Sequence, residues 1–193
     1  MSKTSIPPVG QLLHAIHFAA LKHSTQRRKD SAGTPYINHP IGVAHILWYE
    51  GDVQDIGALQ AAVLHDTVED TDTSFEELEL EFGNEVRQIV AECTDDKTLP
   101  KAERKRLQVE NAPKKSDKAK LVKMADKIYN LRDLQREPPA DWTLDRVREY
   151  FLWAQKVTDG CRGVNGKLEN ILEDIYQSGT FVYNGKQYPC IAK

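Results

Sequence analysis

Residues 120–134 read KLVKMADKIYNLRDL. Leu121, Val122, Ala125, Ile128, Tyr129 and, further on, Leu134 fall at the three- and four-residue intervals of one helix face. The spacing predicts a long helix over 116–135 with a packed stripe. One acid, Asp126, lies beside that stripe, a position more often held by a solvated flanking residue.

The same periodicity extends in both directions. It predicts helices over 9–24, from Pro40 to about Glu50, and over 54–66, 84–94, 100–111 and 163–177. Ser74 and Glu77 in SFEE form the pattern of a capping box for a helix that Gly83 ends. Thr143 is placed to cap a helix carrying Leu144, Val147, Phe151, Ala154 and Val157. Around Asn184-Gly185 the residues alternate, which suggests a small β-hairpin. No repeat or linker interrupts the chain. The expectation is an all-α, single-domain helical bundle over 9–178, with a flexible N-terminus over 1–8 and a tail over 179–193 that forms the hairpin.

Composition narrows the function. The 193 residues are 40% hydrophobic and 28% charged, with a net charge of −3. That balance implies no general attraction to nucleic acid or membranes. No apolar run reaches membrane-span length, and MSKTSIPPVG has no signal core. Cys93, Cys161 and Cys190 are too few and too scattered for a disulfide framework or a zinc pattern, so a cytoplasmic setting is expected.

The chemistry-bearing stretch is AAVLHDTVEDTD, residues 61–72. His65 and Asp66 directly follow an apolar run, so part of their surroundings should be dry. Burying both without partners is costly, and a divalent cation would relieve that cost. Two further donors complete a set. His39 lies in PYINHP, where the following Pro40 favours an extended backbone, and Asp126 lies in the long helix. A mixed imidazole and carboxylate set suits manganese, iron or zinc better than calcium. Glu69 and Asp70 follow His65 and Asp66 by four residues, so a continuing helical turn would keep them near the ion to orient water and move protons. Asn130 lies one turn after Asp126 on the same face. His14, His17, His23 and His45 have no comparable acid neighbours and read as structural.

The ordered residues His39, His65-Asp66 and Asp126 resemble the signature of the HD-domain metal-dependent phosphohydrolases. The longer strings RRKD…GTPYINHPIGVA, VLHDTVEDT, TDDK and KLVKMADKIYNLRDL are similar to the hydrolase domain of the RelA/SpoT alarmone enzymes, in particular its small, stand-alone metazoan branch. The resemblance spans about residues 9–178. It implies an all-α fold, one Mn²⁺ held by His39, His65, Asp66 and Asp126, and removal of the 3′-pyrophosphate from guanosine tetra- or pentaphosphate. It further implies that Arg28 packs on guanine, that Lys29 meets phosphate, and that Arg146 and Tyr150 lie beside ribose and phosphates. Lys97 and Lys101 are additional phosphate candidates, and Asn130 is a nucleotide contact. At this length no synthetase activity is expected. Two alternatives stand beside this reading: removal of the 2′-phosphate of NADPH in the same site, and a catalytically silent nucleotide sensor.

Overall fold

Among the described residues, ten α-helices and one hairpin follow in the order α1 Pro8–Lys22, α2 Asn38–His45, α3 Ile56–Leu64, α4 Thr67–Asp70, α5 Phe75–Phe82, α6 Asn84–Cys93, α7 Lys101–Asn111, α8 Asp117–Arg136, α9 Leu144–Asp159, α10 Gly166–Gln177, β1 Thr180–Tyr183 and β2 Lys186–Pro189. This computed structural model describes residues 6–192. Most of the flexible segment expected over 1–8 lies outside the described residues, and Pro8 already opens α1.

Two helices form the centre. Every residue of α3 from Gly57 to Leu64 is buried, and α3 packs on α1, α2, α6 and α8. The long α8 buries Val122 through Ile128 without a break, then Leu131 and Leu134. That run includes Lys123, Asp126 and Lys127, so Asp126 is drawn inward and is not a solvated neighbour of the stripe. Burying a Leu or Ile side chain stabilises by about 1.5–3 kcal/mol, so these two helices anchor whatever they carry.

Local chemistry sets most boundaries. Ser74, Ser116, Thr143 and Asn165 each accept a backbone N–H at the start of α5, α8, α9 and α10. Gly83 ends α5 at φ +86°. Asn184 and Gly185 both have positive φ, at 49° and 73°, as a two-residue type I′ hairpin turn requires. The strands pair antiparallel, with Phe181 opposite Tyr188. Only half of the expected capping box forms, because Glu77 pairs with Lys22.

Three expectations are corrected. His39 is not extended. Tyr36 O already accepts the His39 N–H, and His39 lies inside α2. Pro40 falls in the first turn, where its missing N–H costs no hydrogen bond. The second helix is not uniform either, because Ile46–Glu50 is wound as a π-helix. The helix expected over 54–66 stops at Leu64. There the His65 ring bonds Ala62 O at 2.8 Å and the Thr67 hydroxyl bonds Leu64 O at 2.7 Å. These side chains satisfy carbonyls that a continuing helix would have used. Of the four histidines read as structural, only His23 is buried.

Gly42 marks where α2 meets α8. A Cβ there would lie 2.1 Å from the Tyr129 ring. Gly42→Ala is therefore expected to force that ring aside, at an overpacking cost of about 1–3 kcal/mol. For a chain of this size that lowers Tm by several degrees, about 2–4 °C per kcal/mol. Thermal unfolding followed by circular dichroism checks it, and an unchanged Tm would mean that Tyr129 has room to move.

Candidate active site

The break after α3 creates the site. Consecutive residues of a continuous helix point about 100° apart and cannot meet on one atom. With the helix ended, Asp66 Oδ2 lies 3.1 Å from His65 Nε2. α2 brings His39 Nε2 to 3.5 Å from Asp66 Oδ2 and 3.2 Å from Asp126 Oδ1. His65 Nε2 is 3.7 Å from Asp126 Oδ1. The donors of His39, His65 and Asp126 all lie within 4.8 Å of one another, and all three residues are buried.

The donor set suits a divalent cation. Ligands about 2.1 Å from one such ion are about 3.0–3.4 Å from each other, close to the spacings here. The His65 ring donates from Nδ1 to Ala62 O, so in the neutral ring Nε2 carries the lone pair. That nitrogen is buried and makes no hydrogen bond. A backbone carbonyl that fixes the tautomer from behind is the usual support of a metal-ligating histidine.

Electrostatics agree. Burial alone would raise both carboxyls, yet His65 and His39 hold Asp66 well below the usual carboxylate range, and Lys127 does the same for Asp126. Burial opposes a charge on His65 too, but Asp66 and Asp126 outweigh it and raise its pKa. On His39 burial prevails and lowers the pKa. The pocket thus keeps two ionised carboxylates and favours positive charge between them.

Neighbouring side chains aim these donors. Tyr36 donates to Asp66 Oδ2 at 2.6 Å. Lys127, itself buried, holds Asp126 Oδ2 at 2.7 Å. Asn130 Nδ2 donates to Asp126 Oδ1 at 2.7 Å, and its Oδ1 accepts from Arg28 at 2.9 Å. Neither Tyr36 nor Lys127 carries a functional signal of its own in the sequence. Both lie within donor-bearing motifs, one beside His39 in PYINHP and one next to Asp126.

A cleft of about 340 Å³ opens beside the donors, its wall including Arg28, Lys29, Tyr36, Asp70, Asn130 and Tyr150. Arg28 is held in place. It pairs with Asp133 at 2.7 Å and lies over the Tyr36 and Tyr129 rings at 5.7 and 5.6 Å. Lys29 is exposed at the cleft edge. Glu69 and Asp70 diverge. Glu69 accepts the Asp95 N–H at 3.2 Å and lies 3.8 Å from Arg104. Burial pushes its carboxyl up. Asp70 faces the cleft, where it accepts from Gln26 at 2.9 Å and pairs with Lys97 at 2.7 Å. Lys101 is exposed at the start of α7 and is not among the residues that line the cleft.

Arg146 lies over Trp142 at 4.3 Å. Lys105, which the sequence reading passed over, lies against Tyr150 and Trp153 at 5.8 and 4.8 Å. Burial, followed by repulsion from Lys101, Arg146 and Lys127, lowers its pKa.

Residues 15–150 match the family described as HD domain. The chain is 62% identical over 165 residues to guanosine-3′,5′-bis(diphosphate) 3′-pyrophosphohydrolase MESH1 of Xenopus tropicalis, covering 86% of this chain and 92% of that one. It is 53% identical over 170 residues to the Drosophila melanogaster protein of the same name, covering 88% and 95%. A solved metazoan orthologue of SpoT, described as hydrolysing ppGpp with a role in starvation responses, superimposes with a TM-score of 0.86 at 52% identity, over 90% of this chain and 97% of that one.

Proposed function

Because the chain belongs to the HD-domain family, we propose that it hydrolyses guanosine tetra- and pentaphosphate at the 3′ position, giving GDP or GTP and pyrophosphate. The observation that carries this is the convergence of buried His39, His65 and Asp126 with the partly buried Asp66 beside a nucleotide-sized cleft. The names of the relatives at 62% and 53% identity support the substrate. The four donors would hold one Mn²⁺, which when bound would supply Lewis acidity toward a phosphoryl oxygen and lower the pKa of water so that hydroxide is available near neutral pH.

The remaining roles belong to the chain. Glu69, partly buried and therefore able to hold a proton at higher pH than an ordinary glutamate, takes the proton of the attacking water. Asp70 orients that water from the cleft side and keeps Lys97 close to the phosphates. Asn130 couples the metal ligand Asp126 to Arg28, so substrate seating and metal geometry are linked. Arg28, pinned between two rings and Asp133, presents its plane to guanine. Lys29, Arg146 and Tyr150 meet phosphate and ribose, and Lys101 with Lys105 adds positive potential behind them. Among the described residues no helix is long and apolar enough to cross a membrane. The free thiols of Cys93, Cys161 and Cys190 support a reducing, cytoplasmic setting.

The test is pyrophosphate release from guanosine tetraphosphate by chelator-stripped protein, before and after Mn²⁺ is restored, with NADPH assayed beside it. Turnover of the tetraphosphate only with metal is expected. Turnover of NADPH alone would move the reading to 2′-phosphate removal, and tight binding without turnover would make the protein a sensor.

Recognition has its own expected result. Arg28→Lys keeps the charge but loses the plane and the guanidinium nitrogen that bonds both Asp133 and Asn130, and should raise KM about threefold to thirtyfold. Lys29→Arg should be mild, and the contribution of Lys29 should fade with added salt. Steady-state kinetics at two salt concentrations check both. If neither change raises KM at low salt, the strip at 27–29 is a solvated face and recognition lies elsewhere.

A further inference from the structure

The C-terminal hairpin takes no part in the chemistry above, yet it grips one wall of the cleft. Tyr183, the last residue of β1, donates its hydroxyl proton to the backbone carbonyl of Trp142 at 3.1 Å. Trp142 lies between α8 and α9 and lines the cleft with Tyr150, their rings 5.6 Å apart. The Arg146 guanidinium rests on its indole at 4.3 Å.

The hairpin is firmly seated. Phe181 is 1% exposed and stacks on Phe151 of α9 at 5.5 Å, one residue from Tyr150. Cys190 is buried, and Gln135 of α8 donates to Thr180 O at 3.3 Å. The hairpin therefore contacts both helices that flank the Trp142 segment, as well as the segment itself.

One group in this wall is unsatisfied. The Trp142 indole N–H is shielded from solvent and has no hydrogen-bond partner. Buried indole N–H groups usually find an acceptor. Trp142 itself lines the cleft, so a nucleotide seated there brings oxygen acceptors beside this residue.

Building on the nucleotide-hydrolase reading, we propose that Trp142 is a further substrate contact. Its indole N–H meets a sugar or phosphate oxygen of the nucleotide while its ring supports Arg146. The hairpin, through Tyr183, is the element that positions it. Trp142 is the binding residue, and Tyr183 acts through it.

A double-mutant cycle tests this on Mn²⁺-loaded full-length protein with guanosine tetraphosphate. Trp142→Phe keeps a ring beneath Arg146 and deletes the N–H, and should raise KM roughly fivefold to tenfold, the scale of one hydrogen bond. Tyr183→Phe deletes only the hydroxyl, and should raise KM about threefold or more with kcat within about twofold. The double variant should have a KM no higher than Trp142→Phe alone, because both act through one contact. An unchanged KM in Trp142→Phe, or effects that multiply, would overturn the proposal. Amide hydrogen exchange of residues 139–143 reads the hairpin's grip without substrate. Tyr183→Phe should speed exchange in that segment, and no change there overturns the positioning role. Absence of wild-type turnover would instead count against the hydrolase reading.

Discussion

Replacing Asp66 by alanine is expected to remove bound Mn²⁺ and at least about 10³-fold of the turnover, while the far-ultraviolet circular dichroism stays helical. The magnitude follows from losing several kcal/mol of charge stabilisation at about 1.4 kcal/mol per tenfold. Asp66 supplies one of two carboxylates to the donor cluster, 3.1 Å from His65 Nε2. It is also what raises His65 against its burial and what Tyr36 donates to. Without it, three donors remain and one negative charge is lost from the site. The helical frame should persist, because α3 and α8 are held by their own apolar faces. Metal analysis after dialysis, with the activity assay, checks both parts. A variant that keeps its metal and wild-type activity would remove Asp66 from the ligand set.

Replacing Glu69 by glutamine should lower kcat by about 10²-fold or more with metal content unchanged. The amide oxygen can still accept the Asp95 N–H that Glu69 receives, so the loop between α6 and α7 should hold. What disappears is the group that takes a proton. Burial raises the carboxyl of Glu69, so as pH falls it loses its charge earlier than an exposed glutamate and general-base catalysis fades on the acidic side. The wild-type kcat profile should show that acidic limb, and the glutamine variant should lack it. A rise in KM at constant kcat would make Glu69 a substrate contact instead.

Much of the architecture was legible in local patterns. The stripe of α8, the caps at Ser74 and Thr143, the stop at Gly83 and the Asn184-Gly185 turn each depend on a few neighbouring residues. The donor quartet was legible for a related reason: His65 and Asp66 follow an apolar run, and carboxylates and imidazoles near such a run need partners. What periodicity could not reveal depends on contacts between distant segments. The break after Leu64 rests on side chains of His65 and Thr67 that return to the backbone, and an α-helical period carries no sign of it. Lys127 would ordinarily be read as solvated, and only the burial of α8 places it on Asp126. Trp142 and Tyr183 lie 41 positions apart, so no local pattern links them. Glu69 and Asp70, adjacent in sequence, were read as one functional unit. The single turn of α4 sends them toward Asp95 and toward the cleft, respectively, which is why different roles are assigned to them here.

In the proposed reaction, water attacks the 3′ phosphorus of a guanosine polyphosphate in the cleft beside His39, His65, Asp66 and Asp126, and the nucleotide leaves with its own 3′ oxygen. Turnover in heavy-oxygen water, with mass analysis of both products, tests this most directly. The label is expected in pyrophosphate, GDP is expected unlabelled, and neither product is expected without the divalent cation. Label in the nucleotide, orthophosphate as the released product, or undiminished turnover after the cation is removed would contradict it.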